Sequence, residues 1–515
     1  MMKKILFGAM FLSSGIAYGQ KEDASAKFAA LITPASMKQK LTILAGPEME
    51  GRETAMPGER KAAAYIESEF KRMGLKPGNG NSYQQYFNVY QDELASIELR
   101  VNGKLYNWDK DYMMSLQTIS NGATSSKELV FVGYGLVDKA AGIDDYAGLD
   151  VKGKIVMMLD GAPAGYKAPT PAPGTRTPSP ISGPAKATAA RTAGATGVIL
   201  VSKDFPRKNP TATKGNMYMN KPTGAPFMMI TVSEEIASAL AGRTSKLSSD
   251  ALAGLNKGKY SAELSINAEK KSIALETSNV IGIIEGTDKK DEYVFMTGHH
   301  DHLGKRGDVI YYGADDDGSG TVGVMQMAEA FAAAAKKGNK PRRTLVFMTV
   351  SGEEKGLWGS QYYSDNPIFP MDKTTVDLNT DMIGRVDTER KTADTLNYIY
   401  VIGHDKLSSD LAKINEGVNA KYLNMTLDYK YDDPKDVNRI YYRSDHYNFA
   451  RKGVPILFFY DGMLKAEYHQ PGDTVDKINF ELMEKRAKLV FHTAWEMANR
   501  DEMLKRDIPL TMPAR

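Results

Sequence analysis

The segment Tyr293-Val-Phe-Met-Thr-Gly-His-His-Asp-His302 joins a short apolar run directly to three histidines. Residues 293–298 are predicted to form a buried strand, because the run is short, apolar and rich in β-branched and aromatic residues. From residue 279 onward, runs of this kind alternate with helical patterns. This alternation is typical of α/β proteins, so we predict a mainly parallel, doubly wound sheet with helices on both faces.

The remaining elements of the predicted sheet follow the same pattern. The predicted strands are 279–285, 293–298, 343–350, 375–382, 398–403 and 454–460. The predicted helices are 36–46, 57–73, 318–337, 357–364, 406–416 and 479–500. The helix over 57–73 is expected to end at Gly74, and the helix over 318–337 is expected to end at Gly338.

Between residues 116 and 275 the composition and the spacing of apolar runs differ from those of the rest of the chain. Apolar runs at 127–135, 154–159 and 197–201 predict short strands, and the Pro-, Ala-, Thr- and Gly-rich stretch 161–190 predicts an exposed loop. A chain of 515 residues is long enough for two domains. We interpret 116–275 as an inserted, largely β domain, and 20–115 and 276–515 as the two parts of the surrounding domain.

Residues 1–19 have the pattern of a secretory signal peptide. Lys3 and Lys4 precede a short apolar run, and Ala17-Tyr-Gly19 is a small-residue cleavage site. The run is short for a membrane span of ~20 residues, although a buried first helix or an anchor is the alternative. We expect an exported protein, periplasmic or extracellular, that begins near Gln20 and is not stably inserted in a membrane.

Composition and missing motifs exclude several classes of function. The 66 basic side chains barely outnumber the 63 acidic ones, which argues against nucleic acid as a partner. The chain has no cysteine, so a cysteine nucleophile and disulfides are excluded. It also lacks His-Glu-x-x-His and Gly-x-Ser-x-Gly, the signatures of helix-borne zinc proteases and of serine hydrolases.

Five separated segments bring histidines or carboxylates to the carboxyl ends of predicted strands or the start of a helix. They carry the residues His299 to His302, Asp315 to Asp317, Glu353 with Glu354, Asp381, and His469. Open α/β sheets bind ligands at that edge, and zinc accepts both kinds of side chain. Because this many carboxylates would repel one another without cations, we predict a metal site. His300, His302, His404 and His492 are interpreted as ordinary histidines, and His492 is expected to pack within its helix.

These segments resemble the M28 family of co-catalytic zinc exopeptidases, particularly bacterial members with an inserted protease-associated (PA) domain. Glu50-Gly-Arg52 is similar to the family's N-terminal block, and Gly133-Tyr-Gly135 and Lys152-Gly-Lys-Ile-Val156 are similar to the PA domain. The metal segments are His299-His-Asp301, Gly313-Ala-Asp-Asp-Asp-Gly-Ser-Gly320, Ser351-Gly-Glu-Glu354, Asp381-Met-Ile-Gly384 and Tyr468-His469. They occur in the family's order, and the resemblance covers nearly the whole chain after residue 20.

The resemblance implies two zinc ions and a role for each matching residue. Asp316 would bridge both ions, with His299 and Asp381 completing one site and Glu354 and His469 completing the other. Glu353 matches the general base, Asp301 matches a carboxylate that orients His299, and Tyr468 matches a tyrosine that steadies the oxyanion in one branch. In some members the Asp316–Asp317 peptide is cis.

The implied activity is hydrolysis of the N-terminal residue from peptides with a free amino group. The alternatives are a glutaminyl-cyclase-like acyltransferase with one zinc, and a carboxypeptidase. A carboxypeptidase needs a cationic anchor for the terminal carboxylate, and Arg443 or Arg385 could supply it. A binding protein with structural metals is a further alternative, which the presence of Glu353 disfavours. Nothing in the sequence specifies an oligomeric state.

Overall fold

The computed structural model describes residues 23–169, 178–221, 223, 224, 226–392 and 394–511. These residues divide into two compact units. The first unit takes in the described residues up to Gln85 and from Ser278 onward, and the second unit spans Tyr86–Thr277. The predicted signal peptide, residues 1–19, and the predicted mature start at Gln20 lie outside the described residues.

The first unit is built on a mainly parallel sheet. From one edge its strands are Thr426–Asp428, Tyr398–Ile402, Ile456–Tyr460, Thr374–Thr380, Lys289–His299, Arg343–Val350, residues 280–284 and Lys76–Pro77. The four strands from Ile456–Tyr460 to Arg343–Val350 run parallel to one another. Their carboxyl ends therefore meet at one edge of the sheet, as the sequence predicts.

Helices cover both faces of this sheet. They are Ala24–Ala29, Pro34–Leu44, Pro57–Met73, Gly320–Lys336, Trp358–Asp365, Leu411–Tyr422, His446–Ala450 and Phe480–Asn499. Alternate side chains of a strand point to opposite faces. In the strand Lys289–His299, Val294 and Met296 join the core under the long helices, and Phe295 joins an aromatic core on the other face. Burial on both faces explains why these strands are almost continuously apolar.

Local signals set the ends of two of the long helices. Helix Pro57–Met73 has proline at its first turn and ends at Gly74, whose φ of 84° is readily adopted by glycine. Helix Phe480–Asn499 begins at Asn479, whose side chain accepts a 3.0 Å hydrogen bond from the amide of Leu482. Both helices lie close to their predicted ranges.

The second unit has a parallel core with antiparallel edges. Its strand order is residues 258–268, Gly122–Phe131, Ile155–Leu159, Gly197–Val201, Met228–Val232 and Tyr112–Met114. Three helices accompany these strands, Gly183–Thr192, Glu234–Leu240 and Ser249–Ala253. Residues 86–115, assigned from sequence to the surrounding domain, belong to this unit because Tyr112–Met114 pairs with Met228–Val232.

The predicted exposed loop over 161–190 contains a helix, and this part of the prediction was wrong. Helix Gly183–Thr192 begins after Ser182, whose hydroxyl accepts from the amide of Ala185. The fully buried Lys186 donates 2.7 Å hydrogen bonds to the carbonyls of Leu159 and Gly161, which fix the helix on the neighbouring strand. Residues 170–177 of the same stretch lie outside the described residues.

A second correction concerns the helix predicted over 406–416. The structure places it at Leu411–Tyr422 instead. Leu407 adopts a positive φ of 63°, which is incompatible with a helix at that point. The local sequence carries no glycine or proline to signal this break.

Within the described residues, every helix is too short or too polar to span a bilayer.

Candidate metal centre

The predicted ligands converge at the carboxyl edge of the first unit's sheet. His299 is the last residue of its strand, and Asp381 directly follows the strand Thr374–Thr380. Glu354 lies just beyond Arg343–Val350, and His469 lies in the loop after Ile456–Tyr460. Asp316 sits in the distorted turn Ala314–Ser319 that precedes helix Gly320–Lys336.

Asp316 lies between the two histidines. One of its oxygens, Oδ1, is 3.2 Å from Nε2 of His299, and the other, Oδ2, is 3.0 Å from Nε2 of His469. His299 Nε2 is 3.7 Å from Asp381 Oδ1, and His469 Nε2 is 3.2 Å from Glu354 Oε2. Ligand atoms at ~2.0–2.1 Å from a tetrahedral zinc lie roughly 3.3 Å apart. The distances at Asp316 are therefore of the size expected between ligands of one zinc ion.

The three consecutive aspartates have different partners. Asp317 accepts hydrogen bonds from the amides of His299, Gly320 and Met382 at 2.8–3.1 Å, so its carboxylate is occupied by backbone. Asp315 accepts from the amide of Gly384 at 2.9 Å. Asp316 is the aspartate that contacts both His299 and His469. An oxygen of Asp317 also lies within 4.8 Å of ligand atoms of His299 and Asp381. The peptide between Asp316 and Asp317 is cis, as in some members of the family that the sequence resembles.

A further carboxylate holds this turn from below. Asp473 accepts hydrogen bonds from the amides of Asp315 and Asp316 at 3.0–3.1 Å. Burial raises the pKa of Asp473 to about 6. Both contacts fix the backbone that aims the Asp316 side chain, and sequence reasoning did not single this residue out.

Asp301 lies beside His299, where the resemblance puts it. Its Oδ1 is 3.6 Å from Nδ1 of His299 and accepts a 3.2 Å hydrogen bond from the amide of Glu353. Its Oδ2 accepts from the hydroxyl of Thr54 at 2.7 Å. The nearest partner of the His299 ring on this side is the backbone carbonyl of Asp301, at 3.1 Å. Asp301 therefore contacts both the histidine and the segment that carries Glu353.

Glu353 stands next to the cluster without being shared between the histidines. Its Oε2 lies 3.9 Å from Nε2 of His299. Burial raises the pKa of Glu353 well above its usual range, and the carboxylates of Glu354 and Asp381 add to the effect. This carboxyl group is thus set up to exchange a proton beside the cluster.

The charges of the cluster demand a cation. Burial by itself would lower the pKa of His299, but the carboxylates of Asp381 and Glu353 raise it well above the usual value. Burial also acts to lower the pKa of His469, but Asp316 and Glu354 raise it to about 10. Without metal, both rings would hold protons to offset the carboxylates. A metal ion at the same position removes that need.

Several buried ligand atoms at the cluster have no hydrogen-bond partner. They are Nε2 of His299, both ring nitrogens of His302 and Oε1 of Glu354. Buried polar atoms are nearly always paired in folded proteins, so a group of unpaired ligand atoms at one place indicates a cation-binding site. The residues present therefore fit zinc, which accepts imidazole and carboxylate ligands.

His302 belongs to this group, although the sequence analysis interpreted it as an ordinary histidine. It is fully buried, and its Nδ1 lies 2.8 Å from Oε1 of Glu354 in a contact that is not directed as a hydrogen bond. His302, Asp316 and Glu354 together form a group that could hold a metal ion. The one sequence signal was its position directly after Asp301, at the same strand end.

The other histidines left out of the site have different surroundings. His300 contacts Glu59 at 3.0 Å and Thr349 at 3.1 Å through its two ring nitrogens. His492 contacts the Ser25 hydroxyl at 2.7 Å and stacks on Tyr422, so it packs as expected. His404 pairs with Asp432 and stacks on Tyr429.

A cleft opens beside the cluster. Its lining combines polar residues with an apolar wall and consists of Asp316, Glu353, Asp381, Met382, Ile440, Arg443, Phe458, Tyr460, Leu464 and Tyr468. Tyr468 stacks on His469 with ring centroids 3.9 Å apart. Burial raises the pKa of Tyr468 well above its usual value, so the phenol keeps its proton and can donate a hydrogen bond.

Fold and cluster together define an α/β protein with a carboxylate–histidine metal centre at the end of a parallel sheet. Comparison with known families agrees with this class. Residues 279–494 match the model of peptidase family M28, and residues 126–239 match the PA domain. The chain thus contains one region that matches peptidase family M28 and one that matches the PA domain, in agreement with the predicted resemblance and fold class.

Individual relatives are similar over parts of their length. A probable leucine aminopeptidase of Trichophyton verrucosum is 29% identical over 225 residues, 43% of this chain and 57% of that protein. A probable zinc metalloprotease of Pyrenophora teres f. teres is 25% identical over 268 residues, 44% of this chain and 52% of that protein. This chain thus spans little more than half the length of these curated relatives.

A solved structure of an aminopeptidase from Aneurinibacillus sp. strain AM-1 is similar in fold. The TM-score is 0.53 at 21% sequence identity, and the match covers 95% of this chain and 100% of that chain. At this identity the likeness concerns the fold alone.

Proposed function

We propose that this protein is a zinc-dependent aminopeptidase, which removes the first residue from peptides with a free amino group. The observation that carries the proposal is the position of Asp316, with one oxygen 3.2 Å from His299 Nε2 and the other 3.0 Å from His469 Nε2. A carboxylate so shared suits two ions. The names of the curated relatives, a leucine aminopeptidase and a zinc metalloprotease, support the same activity.

In this proposal five side chains hold two zinc ions. His299, Asp316 and Asp381 would hold one ion, and Asp316, Glu354 and His469 would hold the other. When bound, a pair of such ions would polarise the scissile carbonyl and lower the pKa of a water molecule towards ~7. Asp301 keeps the His299 ring in place, since it contacts both His299 and the amide of Glu353.

Glu353 moves the proton. Its carboxylate accepts a proton from the attacking water and then donates it to the nitrogen of the departing amine. Glu353 can reach the water because it lies beside the cluster, with Oε2 3.9 Å from Nε2 of His299, and such general acid–base catalysis contributes about 10²–10⁴-fold. Glu354, the next residue in the chain, faces His469 and remains free to act as a ligand.

Tyr468 stabilises the charge that develops on the carbonyl oxygen. Its phenol lines the same cleft as Asp316 and Glu353, and it keeps its proton. A donor that is already positioned before reaction lowers the barrier without reorganisation. The stacking of its ring on His469 holds the phenol in that position.

The direction of cleavage follows from the charges in the cleft. Glu353 and Asp381 line it, and both carboxylates can bind the ammonium group of a peptide's first residue. The apolar wall of Ile440, Phe458 and Leu464 can contact that residue's side chain. The two carboxylates, together with the names of the relatives, favour an aminopeptidase. Because Arg443 lines the same cleft and could hold a terminal carboxylate, a carboxypeptidase is the alternative that the test below must separate.

The proposal is tested with one tetrapeptide in three forms: unmodified, N-acetylated and C-terminally amidated. An aminopeptidase releases the first residue from the unmodified and the amidated peptide and leaves the acetylated one intact. Cleavage of the acetylated but not the amidated form would make the protein a carboxypeptidase. Conversion of an N-terminal glutamine to a cyclic product without peptide cleavage would identify a glutaminyl-cyclase-like acyltransferase.

We also propose that the protein is exported, on the strength of the signal-peptide pattern in residues 1–19. The exported form then begins near Gln20. N-terminal sequencing of protein recovered outside the cytoplasm tests this, and a retained Met1 on that protein would contradict it.

A further inference from the structure

Arg443 lines the cleft, whereas Arg385, the other arginine considered as a carboxylate anchor, is not part of its lining. Arg385 donates a 2.8 Å hydrogen bond to Oε2 of Glu467, so its charge is paired within the protein. Arg443 forms no ion pair with any described residue, although Glu353 and Asp381 line the same cleft. An unpaired guanidinium beside this many carboxylates is available for a ligand.

The contacts of Arg443 leave most of its donors unused. One terminal nitrogen donates a 2.9 Å hydrogen bond to the phenolic oxygen of Tyr468, and the guanidinium carbon lies 5.8 Å from that ring. Among the described residues, no acceptor is within hydrogen-bond reach of its Nε and its other terminal nitrogen. The side chain is exposed to solvent at the mouth of the cleft.

We propose that Arg443 binds a carboxylate of the peptide substrate and so makes the site selective for acidic substrates. A guanidinium presents parallel N–H donors that match the two oxygens of a carboxylate, and the bond to Tyr468 fixes its plane. The inference rests on the proposed aminopeptidase function. The carboxylate is either that of a glutamate or aspartate at the first position, or the terminal carboxylate of a dipeptide.

The cleft itself suits such a substrate. Ile440, Phe458 and Leu464 form an apolar wall near Arg443, against which the methylene groups of an acidic side chain can pack. A hydrogen bond to a charged group is worth enough to change a specificity ratio by about 10- to 100-fold. The same bond is lost when the carboxylate is replaced by an amide of the same shape.

The test uses zinc-loaded full-length protein and two matched pairs of substrates. Glutamyl and glutaminyl p-nitroanilide test the side-chain carboxylate, and Ala-Ala and its C-terminal amide test the terminal carboxylate. Each pair gives a ratio of kcat/KM values, acid over amide. A ratio cancels any general loss of rate that a variant causes by loosening Tyr468.

We expect the wild-type ratio to exceed about 10 in at least one pair, and Arg443→Gln to bring it close to 1, mainly through KM. Arg443→Lys should keep part of the preference, because it keeps the charge. Arg385→Gln is the matched control and should leave the ratio unchanged, since Glu467 already occupies that arginine.

Two results would overturn the inference. One is a wild-type ratio near 1 in both pairs. The other is an Arg443→Gln protein that is slower on all four substrates by the same factor, which would mean that Arg443 acts only through Tyr468. Both differ from failure of the proposed function, in which the wild-type protein hydrolyses no substrate with a free amino group.

Discussion

The guanidinium of Arg52 donates a 2.8 Å hydrogen bond from Nε to the backbone carbonyl of His300. His300 lies between His299 and Asp301 in the chain. The same side chain donates to the carbonyls of Leu44, Tyr312 and Gly313 at 2.7–2.9 Å. Arg52 is fully buried. Arg52 thus connects the strand end that carries His299 with the turn that carries Asp316.

Replacing Arg52 with methionine should destabilise the first unit strongly. The apolar chain fills the space, but it leaves up to four buried carbonyls without their donors, and each unpaired group costs about 1–3 kcal/mol. We expect a loss of at least about 3 kcal/mol in the free energy of unfolding, measured by urea titration. Arg306→Met, at an exposed position, is the control and should change it by less than about 0.5 kcal/mol. Equally small changes in the unfolding free energy of the two variants would show that the hydrogen bonds of Arg52 contribute little to stability.

Glu353 and Asp316 should separate catalysis from metal binding. Glu353→Ala removes only the proton carrier, so kcat should fall by about 10²–10⁴-fold while the zinc content stays near that of the wild type. Asp316→Ala removes the carboxylate that faces both His299 and His469, so this variant should bind less zinc than the wild type. Zinc content by elemental analysis and kcat on one peptide decide this. Equal metal loss in the two variants would show that the roles are misassigned.

His302 should matter for metal affinity, although the family pattern gives it no role. Its Nδ1 contacts Oε1 of Glu354, and residues that hold a metal ligand in place typically contribute 10–100-fold to affinity. His302→Ala should weaken zinc binding by about that factor in competition with a chelator. His492→Ala, at a histidine that contacts the Ser25 hydroxyl and stacks on Tyr422, should leave the affinity unchanged. An unaffected His302→Ala protein would remove this residue from the site.

His492 should make stability depend on pH. Burial lowers its pKa from 6.5 to about 4, so the unfolded chain binds one proton more than the folded protein between these values. Stability from this group is present above pH 6.5 and is lost as the pH falls towards 4, by about 3 kcal/mol at most. His492→Gln should show a shallower fall in unfolding free energy between pH 6.5 and 4. An unchanged slope would contradict the depressed pKa.

Periodicity and strand-end placement were enough to predict the central sheet and the convergence of His299, Asp316, Glu354, Asp381 and His469. Parallel strands bring their carboxyl ends to one edge, so the ligands follow from the strand assignments. Hydrophobic runs are long and regular in this part of the chain, because the sheet is buried on both faces.

The remaining features depend on contacts distant in sequence. Arg52 acts on carbonyls of residues 300, 312 and 313, and no spacing in the sequence reports such a contact. His302 contacts Glu354 whereas His300 contacts Glu59 and Thr349, and nothing in the local sequence separates the two histidines. Helix Gly183–Thr192 was not predicted, because a lysine counts as polar in a sequence pattern. Lys186 is nevertheless buried, since it donates hydrogen bonds to two carbonyls.

The central claim is that two zinc ions, held by His299, Asp316, Glu354, Asp381 and His469, are needed for peptide hydrolysis. Its most direct test is a zinc titration of chelated, metal-free protein, with bound zinc per chain and release of a first residue measured on the same samples. The account predicts no activity without metal and a return of activity that is complete when about two ions are bound per chain. Full activity in the metal-free protein would contradict it.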